Sequence, residues 1–180
     1  MTGPSTEETS AAPAVCLIGM PGAGKSTLGP MLAARLGARF VDLDHEVERV
    51  AGRAVAEIFE TDGEESFRRL EAEALGGLVV RGGVVVACGG GIVTTEAGRA
   101  ALAGARTVLL EVELAELETR IAAQPVDRPL LAGDLGARLV ELDRDRRDAY
   151  RAAADVIVDA GSLPRDVVVD RLVAALEARS

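Results

Sequence analysis

"GMPGAGKS", residues 19–26, lies between the apolar run "AVCLI" (14–18) and a helix-length pattern over 24–37. It satisfies G-x-x-x-x-G-K-[ST], and the strand before it and helix after it turn that string into a physical site. Glycines let consecutive backbone N–H groups turn inward and form an anion nest at a helix N-terminus. Gly22, Ala23 and Gly24 would line that nest. Lys25 would reach the outer phosphates of a nucleoside triphosphate, Ser26 would ligate Mg²⁺, and Thr27 would add a contact further back. A plain glycine turn with a solvated lysine would not require strand, spacing and helix to agree. Lys25 is also the only lysine among the 20 basic residues. Pro30 removes the N–H that would bond the Ser26 carbonyl, so a bend is expected near the second turn.

Outward from this loop, short apolar runs alternate with helical patterns. The strand candidates are 14–19, 39–44, 84–89, 107–112 and 155–159. The helical candidates are 24–37, 44–60, 63–81, 95–104, 113–123, 137–153 and 163–179. Such alternation implies an α/β domain with a parallel sheet covered on both faces. The last helix opens with "SLPRD" (162–166), where Ser162 can cap and Pro164 is tolerated in the first turn. Two segments exceed a simple crossover. Residues 44–81 carry extra helical pieces broken at Gly52 and at "TDG" (61–63). Residues 123–136 hold two prolines and no periodicity. Lids and substrate-binding segments usually occupy such insertions.

A chain of 180 residues suits one domain with a sizeable core. Aromatics are only 2%, so that core must be Val, Leu, Ala and Ile. The net charge of −9 argues against a nucleic-acid partner. An acidic protein that binds anions has to gather its arginines locally. No apolar stretch approaches the ~20 residues a membrane span needs. Residues 1–13 read as a disordered lead-in rather than a signal peptide, and 14–180 as the folded domain. Cys16 and Cys88 each end an apolar run and read as buried, reduced thiols, in keeping with a cytoplasmic protein.

The phosphate loop does not name an acceptor; other residues must. "VDLD" (41–44) closes the second strand and places Asp42 and Asp44 at the edge where open parallel sheets bind ligands. One carboxylate can hold hydrated Mg²⁺ and the other can orient or deprotonate an acceptor hydroxyl. Asp44 at the N-cap of the next helix is the plainer alternative. His45 receives no role. In "FRRLE" (67–71) Arg68 and Glu71 are neighbours on one helix face. They form either a surface pair of little value or an arginine fork held ready for a carboxylate. Finally, "ACGGGIVT" (87–94) places Gly89, Gly90 and Gly91 directly after an apolar run, as though something approaches the bare backbone.

Together "GMPGAGKST", "VDLDHEVE", "IFETDGEESFRRLE", "ACGGGIVT" and "DRPLLAG" resemble the shikimate kinases in order and spacing, across residues 15 to about 175. The resemblance implies a single P-loop kinase domain. Its five-stranded parallel sheet would have the order 2-3-1-4-5, flanked by helices, with a substrate-binding segment over about 44–81 and a lid over about 123–136. It implies a cytoplasmic, monomeric enzyme that uses ATP and Mg²⁺ to convert shikimate to shikimate 3-phosphate, on the route to chorismate and the aromatic amino acids. Nucleic acid and membrane are not implied as partners.

Carried over by position, Asp44 matches the residue that binds the acceptor hydroxyls and serves as candidate base. Asp42 joins Ser26 at Mg²⁺. Arg68 matches a carboxylate-binding arginine, Arg128 the lid arginine that closes on the ATP phosphates, and Arg120 the residue on which adenine lies. Gly89, Gly90 and Gly91 would line the acceptor pocket, which a side chain there would fill.

The chain departs from the family at "RDRRDAY" (144–150), where a proline usually precedes the final Leu-Tyr. Counting back from Tyr150 selects Arg146 as a second carboxylate anchor, with Arg147 as the alternative. An arginine often found beyond the last strand is absent, and Arg165 stands slightly displaced from it. A kinase of another small polyol such as gluconate, or a nucleotide-sensing module, would share the phosphate loop. Neither predicts Asp42, Asp44, Arg68 and the glycine triplet together.

Overall fold

The computed structural model describes residues 12–123 and 134–178. In those residues five parallel strands alternate with seven α-helices. The strands are β1 (Val15–Ile18), β2 (Arg39–Asp42), β3 (Val84–Ala87), β4 (Arg106–Glu111) and β5 (Val156–Asp159). The helices are α1 (Lys25–Leu36), α2 (Leu43–Ala51), α3 (Val55–Arg81), α4 (Glu96–Leu102), α5 (Leu114–Ala122), α6 (Leu135–Ala153) and α7 (Arg165–Glu177), with a 3₁₀ turn at Ile92–Thr94. The sheet order is β2-β3-β1-β4-β5, the order the family resemblance implies.

Strands β1 and β3 are buried along their whole length, as central strands of a doubly covered sheet must be. The core around them is built mainly from Val, Leu, Ile and Ala, with Cys16 and Cys88 both buried and reduced. The Cys88 thiol pKa is pushed well up, by its hydrogen bond with Cys16 and then by burial. Register matters most for the site. Leu17 pairs with Ala87, and Ala87 pairs with Asp42. The ends of β1, β3 and β2 therefore lie level at one edge, and each releases a loop there.

Three local readings are corrected. Strand β2 ends at Asp42, so Asp44 lies in the first turn of α2 rather than on the strand. The cap of α2 is Asp42, whose carboxylate accepts the Asp44 N–H at 3.2 Å. Ser162 does not cap α7; its hydroxyl donates to Glu116 instead, and Pro164 takes the cap position without a side-chain bond. Helix α1 carries Pro30 in its interior as one continuous element.

The extra segment divides as expected. Gly52 ends α2 in a left-handed conformation, and Gly63 breaks α3 with φ 79° and ψ 172°. Val47, Ile58 and Phe67 form a small core of their own, where the Phe59 and Phe67 rings lie 4.6 Å apart. This pins the middle of α2 against the first half of α3. Among the described residues no helix is long and apolar enough to cross a membrane.

Candidate functional site

The loop after β1 leads straight into α1, whose first residue is Lys25. Gly22 and Gly24 take φ values of 83° and 95°, which favour glycine and let the loop coil tightly. Lys25 folds back over this coil, its Nζ donating to the Gly19 and Met20 carbonyls at 2.7 and 3.0 Å. The Ser26 hydroxyl donates to Asp42 Oδ2 at 2.8 Å. Asp42 thus ties the phosphate loop to α2 with one oxygen each. Hydroxyl and carboxylate are hard oxygen donors, the types that suit Mg²⁺. Among the described residues no three His, Cys, Asp or Glu side chains converge as a metal cage. A cation here would rest on few protein oxygens, as Mg²⁺ does beside phosphates.

A cavity of about 360 Å³ opens beside the loop, lined by Gly22, Thr27, Arg120, Ala160, Leu163 and Arg165 among others. Arg120 is held in place by several partners. It donates to Glu116, and to the Ala160 and Gly161 carbonyls at 2.8 and 2.7 Å. Arg165 lines the same cavity. Arg128 lies outside the described residues, as does most of the 123–136 segment. A separate hollow of about 480 Å³ at Asp155 and Ala175 contains none of the predicted site residues.

The loop after β3 faces α2, α3 and α6. Its three glycine carbonyls all accept hydrogen bonds. Gly89 O takes the Ile92 N–H, Gly91 O takes the Thr94 N–H and hydroxyl, and Gly90 O takes Arg146 Nη1 at 3.1 Å and the Tyr150 hydroxyl. Among the described residues the N–H groups of Gly89, Gly90 and Gly91 donate to no protein acceptor. Gly89 and Gly90 are half-buried and Gly91 is buried, so these N–H groups are left for solvent or for a ligand's oxygens.

None of the three glycines has a positive φ. What requires them is proximity. A Cβ on Gly89 would lie 2.3 Å from Glu71 Oε1, and one on Gly91 only 2.2 Å from Arg68 Nη2. The groups crowding the bare backbone are therefore the protein's own ion pair, a reason the sequence could not supply. A Cβ on Gly90 would meet Tyr150, Pro21 and Arg146 at ordinary contact distances of 3.4–3.6 Å.

Arg68 and Glu71 are not a surface pair. Arg68 is 7% exposed and Glu71 wholly buried, with Nη1 to Oε2 at 2.8 Å. Arg68 also reaches Glu64 through Nε and Nη2. Burial opposes the Arg68 charge, but Glu71 and Glu64 outweigh it and raise its pKa. Burial pushes the Glu71 carboxyl up, with Arg68 opposing. Glu71 Oε1 has no hydrogen-bond partner. An arginine held by two carboxylates keeps a fixed position.

Asp44 faces the same hollow. It is open to solvent yet surrounded by protein. That crowding, then the neighbouring Asp42, raises its pKa, while Arg68 and Lys25 pull the other way. Arg146 is 9% exposed and points at the glycine loop; Arg147 is exposed and pairs with Asp143. His45 is exposed. One edge of the sheet thus brings together Lys25, Ser26, Asp42, Asp44, Arg68, the glycine triplet and Arg146. The sequence reading missed Tyr150 as a member of this cluster. Its spacing from Arg146, four residues along one helix, was the available signal.

Comparison with known proteins gives the family and the fold. A sequence model of the family described as shikimate kinase matches residues 21–177. The chain is 47% identical over 149 residues to the shikimate kinase of Thermobifida fusca, covering 83% of this chain and 86% of that one. It is 43% identical over 168 residues to that of Mycobacterium avium, covering 93% and 95%. Among solved structures, shikimate kinase from Acinetobacter baumannii in complex with shikimate is 31% identical, with a TM-score of 0.86, covering 94% of this chain and 95% of that one.

Proposed function

The chain belongs to the shikimate kinase family, and we propose that the cluster at the sheet edge is where it phosphorylates the 3-hydroxyl of shikimate with ATP, in the aromatic amino-acid route. The observation that carries this assignment is the glycine loop: three N–H groups without protein acceptors, walled by Arg68, Arg146 and Asp44. Two arginines, Arg68 and Arg146, thus meet at one loop in a chain of net charge −9.

In this reading the substrate carboxylate is anchored by Arg68 and Arg146, with the Gly89–Gly91 N–H groups taking its remaining oxygens. Charge-assisted bonds of this kind contribute about 1.5–3 kcal/mol each. Asp44 orients the 3-hydroxyl and accepts its proton as the oxygen bonds to the γ-phosphorus and the bond to the leaving ADP oxygen breaks. A raised pKa makes Asp44 a better proton acceptor.

Backbone N–H groups of Gly22 and Gly24 cradle the phosphates, whereas the Ala23 N–H expected beside them donates to the Met20 carbonyl at 3.1 Å; Lys25 and Arg128 offset the charge on the moving group. Thr27 adds its contact further back, and Arg120 presents its planar face to adenine. Ser26 and Asp42 would hold Mg²⁺, which when bound supplies charge neutralisation to the phosphates. We place the enzyme in the cytoplasm, as a monomer acting on shikimate and ATP without nucleic acid or membrane.

Coupled ADP release is the test, measured with shikimate, gluconate, quinate and no acceptor. Release that depends on shikimate supports the assignment. Equal release with gluconate would move the chain to a different polyol, and none with any acceptor would leave a nucleotide-binding module.

A further inference from the structure

We propose that Tyr150 is a positioning residue of the acceptor loop. Its phenol, together with Arg146, holds the Gly90 carbonyl and so aims the Gly91 N–H at the substrate. The inference rests on the reading of Gly89–Gly91 as the acceptor cradle.

Tyr150 is the chain's only tyrosine. It is 2% exposed and packs within the main core, with its hydroxyl donating to Gly90 O across 60 residues of sequence. Arg146 stands one turn earlier on α6 and donates to the same oxygen at 3.1 Å. A carbonyl oxygen has two lone pairs, so the two donors complete its capacity. In a trans peptide the carbonyl of one residue and the N–H of the next point in opposite directions. Fixing Gly90 O against α6 therefore turns the Gly91 N–H away from α6.

Three successive glycines have more conformational freedom than any other tripeptide, and their N–H groups would otherwise sample many directions. The carbonyls of Gly89 and Gly91 are held by the 3₁₀ turn that follows, at Ile92 and Thr94. Gly90 alone depends on a distant helix. Packing would be served equally by phenylalanine; the hydroxyl is what reaches the loop. Burial pushes the phenol pKa up to about 12, so it remains a proton donor at any working pH.

Two measurements on the full-length chain test this. The Tyr150→Phe variant keeps the ring and removes one hydrogen bond. It should lower kcat/KM for shikimate about five- to tenfold, with KM for ATP within twofold. Equal losses for both substrates, or unchanged shikimate kinetics, would return Tyr150 to a packing role. Amide exchange at Gly91 separates the two levels of inference. In the parent chain shikimate should slow it, and in Tyr150→Phe it should slow it less. No protection in the parent would overturn the cradle itself. Protection equal in both would overturn only the role of Tyr150.

A second readout needs no destabilised variant. Because the chain has one tyrosine, 3-fluorotyrosine labels this position alone, and its ¹⁹F resonance should shift on adding shikimate but not ATP. An unmoved resonance would contradict the proposal.

Discussion

Adding one methyl group at Gly91 tests the site where it is tightest. The backbone at Gly91 has φ −100° and ψ 0°, which alanine tolerates, so any effect must come from contact rather than from conformation. The new Cβ would lie 2.2 Å from Arg68 Nη2, 2.3 Å from Cζ and 2.6 Å from Nη1. Comfortable carbon contacts lie near 3.5–4.0 Å, so the guanidinium must withdraw by more than about 1 Å. It is not free to do so. Glu71 holds Nη1 at 2.8 Å and Glu64 holds Nη2 at 3.1 Å, with Arg68 buried between them. Overpacking of this kind costs about 1–3 kcal/mol, and each kcal/mol lowers Tm by about 2–4 °C in a chain this long.

The kinetic effect should exceed the thermal one. A carboxylate anchor displaced by about an ångström can lose ~100-fold in rate. Thermal unfolding and steady-state kinetics with each substrate varied give the assay. The expected signature is a Tm several degrees lower and kcat/KM for shikimate down by one to two orders of magnitude, with ATP binding intact. Gly90→Ala is the internal control. Its methyl has ordinary room among protein atoms at 3.4–3.6 Å, so stability should change little, while shikimate kinetics should still fall because the methyl enters the acceptor cradle. Gly91→Ala with unchanged Tm and unchanged shikimate kinetics would refute the packing of Arg68 against the loop and the role built on it.

Lys25→Ala should lower turnover by orders of magnitude while leaving the fold intact, since it removes a cation from the phosphate loop; near-normal kcat would remove Lys25 from the mechanism. The Arg68→Ala change should raise KM for shikimate by an order of magnitude or more, with KM for ATP little moved. Arg146→Ala should resemble it and Arg147→Ala should not, because Arg146 points at Gly90 and Arg147 at Asp143; the reverse order would shift the anchor by one residue. Asp44 has a pKa raised by desolvation and then by Asp42, so kcat/KM should fall as pH drops through that raised value and the base takes up a proton. Asp44→Asn should be slow and should lose that acidic limb; a profile unchanged by the substitution would assign it to another group.

The fold was legible because its signals are local. Runs such as "VVVA" and "TVLLE" read as buried strands, and the glycine-rich loop fixed the first crossover. The break at Gly63 was readable from "TDG" alone. Less legible was whatever depends on distant partners. Ser162 has the chemistry of a cap, yet its hydroxyl goes to Glu116, 46 residues earlier in the chain. Asp42 and Asp44 were placed on one strand because "VDLD" alternates, whereas Asp42 turns the chain into α2 by capping it.

The site followed the same division. The spacing of Arg68 and Glu71 predicted their contact, but not their burial, which comes from the absence of side chains on Gly89 and Gly91. The glycine triplet announced a close approach without saying by what. Tyr150 gave no signal beyond standing four residues after Arg146, since its partner is a backbone carbonyl on another element.

In the proposed reaction the glycine loop, Arg68, Arg146 and Asp44 receive shikimate beside an ATP-loaded phosphate loop. A crystal structure with shikimate and ADP bound tests it most directly. The account predicts the substrate carboxylate on Arg68 and Arg146, oxygen contacts from the Gly89–Gly91 N–H groups, and the 3-hydroxyl on Asp44 facing Lys25. A carboxylate bound elsewhere, or a 3-hydroxyl turned away from Asp44, would contradict it.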